Sequence, residues 1–307
     1  MQKNKGILVF GSFNYDMTAR VERFPQPGET VLGKPLLTGP GGKGCNQAIA
    51  AHRAGGCVTF ITKVGMDIFG DVAFETCKKA GLSAEGILRD PDYPTGSANI
   101  LLEETRRQNM IVVNEGACRH FTQEDVDKIF RNMDNAGYLL TQMETNIDAL
   151  EQVIRRSKES GLEVILNPAP AIDLHKDLYS LIDLITPNET EAETLTGIPV
   201  TCVEKADEAA AVFLARGVKQ VVITMGESGV YVHDGYRSSH IKGYQVKALD
   251  TTGAGDCFNG ALAAALSTGM PLMDAAAFAN AAASISVTRL GAGLSAPTLD
   301  EIQQILR

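Results

Sequence analysis

Short apolar runs alternate along the chain with longer amphipathic segments. The runs are apolar at successive positions rather than at every second one, which is typical of strands buried on both faces of a parallel sheet. The pattern predicts strands over residues 6–11, 58–65, 138–142, 163–168, 181–188 and 219–226.

The segments between these runs carry the periodicity of amphipathic helices. Residues 122–135 predict a helix with Thr122 as its N-cap, and residues 146–160 predict another with Asn146 as N-cap and Gly161 as terminator. The apolar face of the first helix consists of Val126, Ile129, Phe130 and Met133. Strands that alternate with helices predict a doubly wound α/β fold, with a mostly parallel sheet flanked by helices.

Two segments interrupt this alternation. Residues 14–40 and 94–114 lack helical periodicity and contain short extended stretches separated by turn residues. We therefore predict four short strands outside the main sheet, forming a small β-sheet lid over a ligand site. Because no repeat, low-complexity tract or linker is visible, residues 1–307 are expected to form a single domain.

Composition narrows the class of protein. The chain has 307 residues, of which 44% are hydrophobic and 21% charged, as in soluble globular proteins. Its net charge of −9 argues against a nucleic-acid partner, and no apolar stretch approaches the ~20 residues that span a bilayer. The apolar run near the N-terminus is too short for a signal peptide. The six cysteines lack metal-ligand spacing, so reduced thiols and a cytoplasmic location are expected.

The first candidate for chemistry is the stretch "DTTGAGD" at 250–256. It follows a strand-like run, "YQVKAL", and precedes an alanine-rich helical segment. Gly253 and Gly255 allow a close approach to a ligand, and the free N–H groups of a helix N-terminus favour an anion. Asp256 at that position could accept a proton from a hydroxyl that attacks a phosphoryl group. For the motif alone, the favoured explanation is structural: an aspartate near a helix N-terminus is stabilised by the helix dipole.

Two other polar motifs are candidates for ligand contacts, and one of them, "GSFNYD", directly follows the first predicted strand. In "PGGKGCNQA" (40–48), Lys43 and Asn46 add donors to a glycine-rich turn that is not a Walker A loop. In "GSFNYD", Asn14 and Asp16 lie on one face of an extended segment, where they could clamp sugar hydroxyls. An ordinary capped turn would explain either motif by itself.

The motif "TPNETEAE" (186–193) combines a structural and a functional interpretation. Asn188 and Glu191 have the spacing of an N-cap and capping box. Glu191 could also hold a hydrated Mg²⁺, with Asn188 near the phosphates, since Mg²⁺ commonly keeps several waters.

Taken together, these motifs resemble the ribokinases of the PfkB sugar-kinase family. The matching stretches occur in the family's order and span essentially the whole chain. They are "FPQPGET" (24–30), "GGKGxNQA" (41–48), "NPAPA" (167–171), "TPNETEAE" (186–193) and "DTTGAGDCFNGAL" (250–262).

The resemblance implies ATP-dependent phosphorylation of the 5-hydroxyl of D-ribose to ribose 5-phosphate. It implies that Asp256 is the catalytic base and that the backbone of Gly253, Ala254 and Gly255 is the anion hole. Besides Asp256, the sugar-contacting positions correspond to Asn14, Asp16, Gly42, Lys43, Asn46 and Glu144. The nucleotide-contacting positions correspond to Asn188, Thr224, Met225, Gly226, Glu227, Ser228, Gly229, Gly255 and Asn280.

The resemblance also implies two metal ions and a dimer. Glu191 matches the glutamate linked to Mg²⁺. An activating monovalent cation, usually K⁺, is implied beside the anion hole, and several of its ligands are backbone carbonyls. The positions that match the cation site are Asp250, Thr252, Ser286, Arg289, Gly291 and Ser295. The lid is implied to form the contact of a homodimer.

Three positions around the implied sugar pocket depart from the family's pattern: Pro40, Glu115 and Cys118. They leave other acceptors open, namely 2-deoxyribose, a nucleoside or a phosphosugar. A noncatalytic sugar- or nucleotide-binding protein is a further alternative, although the presence of Asp256 argues against it. A dinucleotide-dependent dehydrogenase is disfavoured because no GxGxxG turn follows the first predicted strand.

Overall fold

The computed structural model describes residues 5–103, 105–106, 108–131 and 136–307, which contain two sheets. In chain order the strands are β1 (Gly6–Phe10), β2 (Asn14–Val21), β3 (Leu37–Gly41), β4 (Val58–Gly65), β5 (Ile87–Asp90), β6 (Gly96–Glu103), β7 (Gln108–Asn114), β8 (Ala136–Thr141), β9 (Glu163–Leu166), β10 (Leu184–Ile185), β11 (Gln220–Thr224), β12 (Val230–His233) and β13 (Ser238–Ile241).

The central sheet has the order β13-β12-β11-β10-β9-β8-β1-β4-β5. From β11 to β5 its strands pair in parallel, with Ile7 opposite Val58 on one side and Tyr138 on the other, whereas β12 and β13 are antiparallel. Ile7 faces one hydrophobic core and Leu8 the other, so the sheet is buried on both faces. This confirms the predicted mostly parallel, doubly wound sheet.

Some details of the strand prediction were wrong. The run over residues 181–188 forms a strand only at Leu184–Ile185, since a 3₁₀ turn (Lys176–Leu181) precedes it and Pro187, which lacks an N–H, follows. The strand-like run "YQVKAL" forms no strand. It lies beyond the edge strand β13, largely exposed, and the N–H of Leu249 donates to the carbonyl of Val287 instead of to a neighbouring strand.

Helices cover both faces of the central sheet. In chain order they are α1 (Lys43–Arg53), α2 (Ile68–Ala80), α3 (Gln123–Arg131), α4 (Ile147–Glu159), α5 (Glu189–Thr196), α6 (Val203–Ala215), α7 (Ala254–Ser267), α8 (Leu272–Ser286) and α9 (Leu299–Ile305). Helices α1, α2, α7, α8 and α9 pack on one face, and α3 to α6 pack on the other. None of the helices in the described ranges combines the length and apolarity that crossing a membrane requires.

The helix predictions agree with most of these bounds. Thr122 caps α3, and the part of the 122–135 prediction that includes Met133 lies outside the described residues. Asn146 occupies the N-cap position of α4, but its amide bonds to the backbone of Phe121 instead of to the helix. Gly161, with a φ of 79°, follows the end of α4 as expected.

The second sheet comes from the two segments that interrupt the α/β alternation. Its order is β3-β2-β6-β7, with β2 and β6 parallel and the other pairs antiparallel. The predicted separate four-stranded sheet is therefore confirmed. Strand β2 follows β1 after a connection of three residues, 11–13, so the start of the small sheet lies at the carboxyl end of β1.

Candidate active site

The N-terminus of α7 forms the centre of the site. Gly253 precedes the helix with a φ of 74°, and a Cβ there would lie 2.9 Å from the Cα of Ala292, so glycine is required. Gly255 has no neighbouring atom within 4 Å of where its Cβ would be. The first turn is thus open on one side, where its free N–H groups can meet an anion.

Asp256 lies in this first turn and is only 7% exposed. Its Oδ2 accepts a hydrogen bond from Asn46 Nδ2 at 2.9 Å, and its Oδ1 accepts one from Gln47 Nε2 at 3.0 Å. Burial raises the pKa of Asp256, whereas the charge of Lys43 and the two amide donors oppose that rise. A carboxylate with a raised pKa, oriented by donors on both oxygens, is suited to accept a proton.

Lys43 is the first residue of α1 and lies among carboxylates. Burial lowers the pKa of Lys43, but the negative charges of Asp256, Glu144 and Glu191 prevail and raise it above the usual value. Lys43 is therefore cationic at neutral pH. A fixed positive charge here can stabilise the negative charge of a transferring phosphoryl group.

The sugar-side candidates meet where β1, β3 and β8 end and β2 begins. Glu144 Oε2 accepts hydrogen bonds from the N–H of Lys43, at 2.9 Å, and from the hydroxyl of Ser12. Burial and the nearby charge of Glu144 raise the pKa of Asp16 to about 6. At Gly42, with a φ of 88°, a Cβ would lie 2.9 Å from the backbone N of Asn14. Asn14, Asp16, Gly42, Lys43, Asn46 and Glu144 therefore form one contiguous cluster.

A polar cavity opens beside Asp256 on the other side of α7's first turn. Asn188 and Glu191 form the capping box of α5, and Asn188 pairs with Thr224 through a β-bridge. Burial raises the pKa of Glu191. The lining residues are Lys43, Asn167, Ala169, Thr186, Asn188, Glu191, Thr224, Thr251, Gly253, Ala254, Gly255, Asp256 and Asn259.

The remaining nucleotide-side candidates lie farther along and do not line this cavity. Residues 225–229 contain a 3₁₀ turn (Gly226–Ser228) beyond β11, and the N–H of Met225 donates to the carbonyl of Gly229 at 2.8 Å. Asn280 in α8 donates to the carbonyl of Lys242 at 2.9 Å. Both features lie toward the β12–β13 edge of the sheet.

The structure brings together part of the candidate monovalent-cation site. Asp250 accepts hydrogen bonds from the N–H groups of Thr252, at 2.9 Å, and Gly291, at 3.1 Å. The side chains of the other three candidates have partners elsewhere: Ser286 with the carbonyl of Ala283, Arg289 with Glu301 and Ser295 with the carbonyl of Ala292. Among the described residues, no group of three or more His, Cys, Asp and Glu side chains is arranged to hold a metal ion.

Sequence reasoning missed several residues of the site. Hydrogen bonds connect Asp256 to the cavity wall through Gln47, Asn167, Thr186 and Asn259, and Ser12 donates to Glu144. Their motifs were recognised, since Gln47 follows Asn46 and Asn167 begins "NPAPA". Their roles were not, because only the tertiary packing brings these side chains together.

Comparisons with known proteins agree with this geometry. The model of the pfkB family carbohydrate kinases matches residues 4–299. Ribokinases from Haemophilus influenzae and Staphylococcus aureus are each 41% identical, over 98% and 97% of this chain and 98% and 99% of theirs. The structure of Arabidopsis thaliana ribokinase complexed with ribose and ATP aligns with a TM-score of 0.90 at 31% identity, covering 99% of both chains. The chain therefore belongs to the PfkB family of carbohydrate kinases and is a phosphotransferase that acts on an alcohol group.

Proposed function

We propose that this protein transfers the γ-phosphoryl group of ATP to the 5-hydroxyl of D-ribose, giving ribose 5-phosphate and ADP. The names of the two bacterial relatives and the ribose and ATP of the Arabidopsis complex support this substrate pair. The observation that carries the proposal is the position of Asp256, a buried carboxylate between the sugar-side cluster and the cavity at α7.

The proposed step is an in-line displacement at the γ-phosphorus. Asp256 accepts the proton of the 5-hydroxyl while the ribose oxygen forms a bond to phosphorus, and the bond from phosphorus to the bridging oxygen of ADP breaks. The N–H groups at Gly253, Ala254 and Gly255 and the ammonium of Lys43 stabilise the charge on the transferring oxygens.

The two substrates occupy opposite sides of Asp256 in this proposal. The carboxylates of Asp16 and Glu144 accept hydrogen bonds from the ribose hydroxyls, and the amides of Asn14 and Asn46 donate to or accept from them, beside the backbone of Gly42. Asn188 and Thr224 contact the phosphates, while residues 225–229 and Asn280 contact the rest of the nucleotide.

Mg²⁺ and K⁺ fit the donor chemistry of the site. Glu191 offers one carboxylate beside the cavity, which suits a Mg²⁺ that arrives with the nucleotide and keeps its waters. Asp250 and the carbonyls of residues 252, 286, 289, 291 and 295 offer oxygen ligands suited to K⁺. When bound, Mg²⁺ would neutralise phosphate charge, and K⁺ would hold the 250–253 loop that begins α7.

We also propose a homodimer that forms through the small sheet. Strand β7 is exposed along its whole length, and its central residues Met110, Ile111, Val112 and Val113 are each 51–61% exposed. Strand β7 pairs with β6 on one side only, and the outer edge of an apolar edge strand is a template for pairing with another chain. Size-exclusion chromatography with light scattering on Val112→Asp should give a monomer where the parent protein gives a dimer. The proposed compartment is the cytoplasm, which suits the six free cysteines.

The test of function compares two aspartates at equivalent helix positions. Asp256 and Asp274 are each the third residue of their helix, α7 and α8, but Asp274 is exposed. ADP release with ribose, measured by a coupled assay, should fall by orders of magnitude in Asp256→Asn and stay unchanged in Asp274→Asn. Equal behaviour of the two variants would show that Asp256 only stabilises its helix.

The same assay tests the acceptor. Ribose is expected to give a higher kcat/KM than 2-deoxyribose, fructose, adenosine or fructose 6-phosphate. A higher kcat/KM for one of the others would identify that compound as the acceptor of the same phosphoryl transfer. Binding of ribose without ADP release from any acceptor would support a noncatalytic protein.

A further inference from the structure

Gln47 makes hydrogen bonds with both ends of its amide although it is completely buried. Its Nε2 lies 3.0 Å from Asp256 Oδ1 and 3.0 Å from Asn167 Oδ1. Its Oε1 accepts a hydrogen bond of 2.6 Å from Nε2 of Gln142, which is also completely buried. Every polar atom of the Gln47 side chain thus has a partner.

These contacts fix which way the Gln47 amide faces. An ionised carboxylate can only accept hydrogen bonds, so the nitrogen of Gln47 must point at Asp256. The opposite orientation would place the oxygen of Gln47 against the carboxylate oxygen of Asp256, with no proton between the two acceptors. Because unmatched polar groups are costly in the interior, a single arrangement is strongly favoured.

The hydrogen bonds continue from Asn167 back to the peptide that carries the base. Asn167 Nδ2 donates to the carbonyl of Thr186 at 3.0 Å, and the hydroxyl of Thr186 donates to Asn259 Oδ1. Asn259 Nδ2 then donates to the carbonyl of Gly255 at 2.9 Å. Gly255 is covalently joined to Asp256, so this series of hydrogen bonds closes into a ring. It links α1, the ends of β9 and β10, and the first turn of α7.

We propose that Gln47 is a positioning residue for phosphoryl transfer: its amide holds the Asp256 carboxylate in one rotamer and joins it to the ring that holds Gly255. The base and the N–H groups of the anion hole then keep a fixed separation while the hydroxyl attacks. This inference rests on the proposed function, in which Asp256 is the base. Misplacement of a catalytic group by about 1 Å is enough to slow a reaction on the order of a hundredfold.

Gln47→Met tests the inference, since methionine is similar in length but cannot donate. We expect kcat to fall on the order of ten- to a hundredfold, the size of an effect from one hydrogen bond to a charged group. The KM values for ribose and ATP should change little. Because the Gln47 donor lowers the pKa of Asp256, the acid limb of kcat should also move to higher pH, which a loosened fold alone would not cause.

Gln47→Glu provides a conditional rescue. A protonated glutamic acid can donate to Asp256 and accept from Gln142, as the amide does, whereas an ionised glutamate repels the base. We therefore expect the ratio of kcat in Gln47→Glu to kcat in Gln47→Met to rise as the pH falls. A ratio that does not vary with pH would contradict the proposed hydrogen bond.

The control is Ser267→Ala, which removes a buried side-chain hydrogen bond at the far end of α7, from Ser267 Oγ to the carbonyl of Ala264. Its kcat and acid limb should match those of the parent protein. A folded Gln47→Met with unchanged kcat and an unshifted limb would overturn the inference alone, and if this variant does not fold, the pH profile of Gln47→Glu against the parent decides. An inactive parent protein would overturn the proposed function instead.

Discussion

Replacing Lys63 with methionine should destabilise the fold at neutral pH and do so less in acid. Lys63 projects from β4 into a cluster in which its Nζ lies 2.6 Å from Asp90 Oδ2, 2.9 Å from Asp125 Oδ2 and 2.8 Å from the carbonyl of His120. The side chains of Lys63, Asp90 and Asp125 are 6%, 6% and 11% exposed. In sequence, the β6–β7 strand pair lies between Asp90 at the end of β5 and Asp125 in α3. The cluster therefore ties together the two segments that flank this strand pair.

The expected loss of unfolding free energy depends on the ion pairs that Asp90 and Asp125 lose and on the hydrogen bonds that they keep. Removing one partner of a buried ion pair typically costs about 3–5 kcal/mol, because an uncompensated charge stays buried. Asp90 keeps hydrogen bonds from the N–H groups of Asp92 and Tyr93, and Asp125 keeps those of Thr122. We therefore expect a loss near the lower end, about 3 kcal/mol of unfolding free energy.

The pH dependence has a defined sign. Burial tends to raise the pKa of Asp90 and Asp125, but the hydrogen bonds and the charge of Lys63 prevail and hold both below the usual value. Carboxyls with a lowered folded-state pKa contribute stability above their unfolded pKa, about 4, and lose it as the pH falls through the folded-state value. The difference between the parent protein and Lys63→Met should thus be full at pH 7 and shrink below about pH 4.

Urea unfolding at pH 7 and at about pH 3.5 measures both quantities. Lys205→Met is the matched control, since Lys205 pairs with Glu208 at 2.7 Å on the exposed surface of α6. This control should leave the urea midpoint unchanged. A loss in Lys63→Met below about 1 kcal/mol at pH 7, or one that persists undiminished in acid, would refute the reasoning.

Three further predictions concern the site and its supporting helices. Because the pKa of Asp16 is raised to about 6, partly by Glu144, the KM for ribose should rise as the pH falls through about 6; in Glu144→Gln, titration of ribose binding should show this transition at lower pH. Gly260→Ala should lower the unfolding free energy, measured by urea titration, by about 1–3 kcal/mol through overpacking. Gly39→Ala should leave it unchanged, because a Cβ there meets nothing within 4 Å. ADP release should be faster in K⁺ than in Na⁺, and Asp250→Ala should abolish that difference; equal rates in both salts for the parent protein would remove the cation from the proposal.

The sequence predicted the elements whose signal is local. Continuous apolar runs gave β1, β4, β8, β9 and β11, and the lack of helical periodicity in residues 14–40 and 94–114 gave the second sheet. Short strands were missed where the signal was weak: β5 has four residues, and β13 is half exposed at the sheet edge. The run at 244–249 has strand-forming residues but no neighbouring strand with which to pair.

The side chains of the candidate site could be predicted only where a motif carries them. Asp256, Lys43 and Asn188 lie in motifs with a recognisable spacing. Gln142 hydrogen-bonds to Gln47, 95 positions away in the chain. Thr186 begins the "TPNETEAE" motif, but its hydrogen bond to Asn259, 73 positions away, cannot be inferred from that motif. The Lys63 cluster was missed for the same reason. Its two carboxylates, Asp90 at the end of β5 and Asp125 in α3, are separated in sequence by residues 94–114.

The contrast between Asp256 and Asp274 explains why local reasoning about the role of Asp256 remained ambiguous. Both are third residues of alanine-rich helices, so the position in the helix and the stabilisation by the helix dipole are the same for the two. The difference arises from the packing of α1 on α7. A Cβ at Gly260 would lie 2.5 Å from the carbonyl oxygen of Gln47, so only glycine permits this approach without displacing α1. That approach brings Asn46 and Gln47 to the carboxylate of Asp256, so this aspartate is buried and oriented by two donors, whereas Asp274 stays exposed.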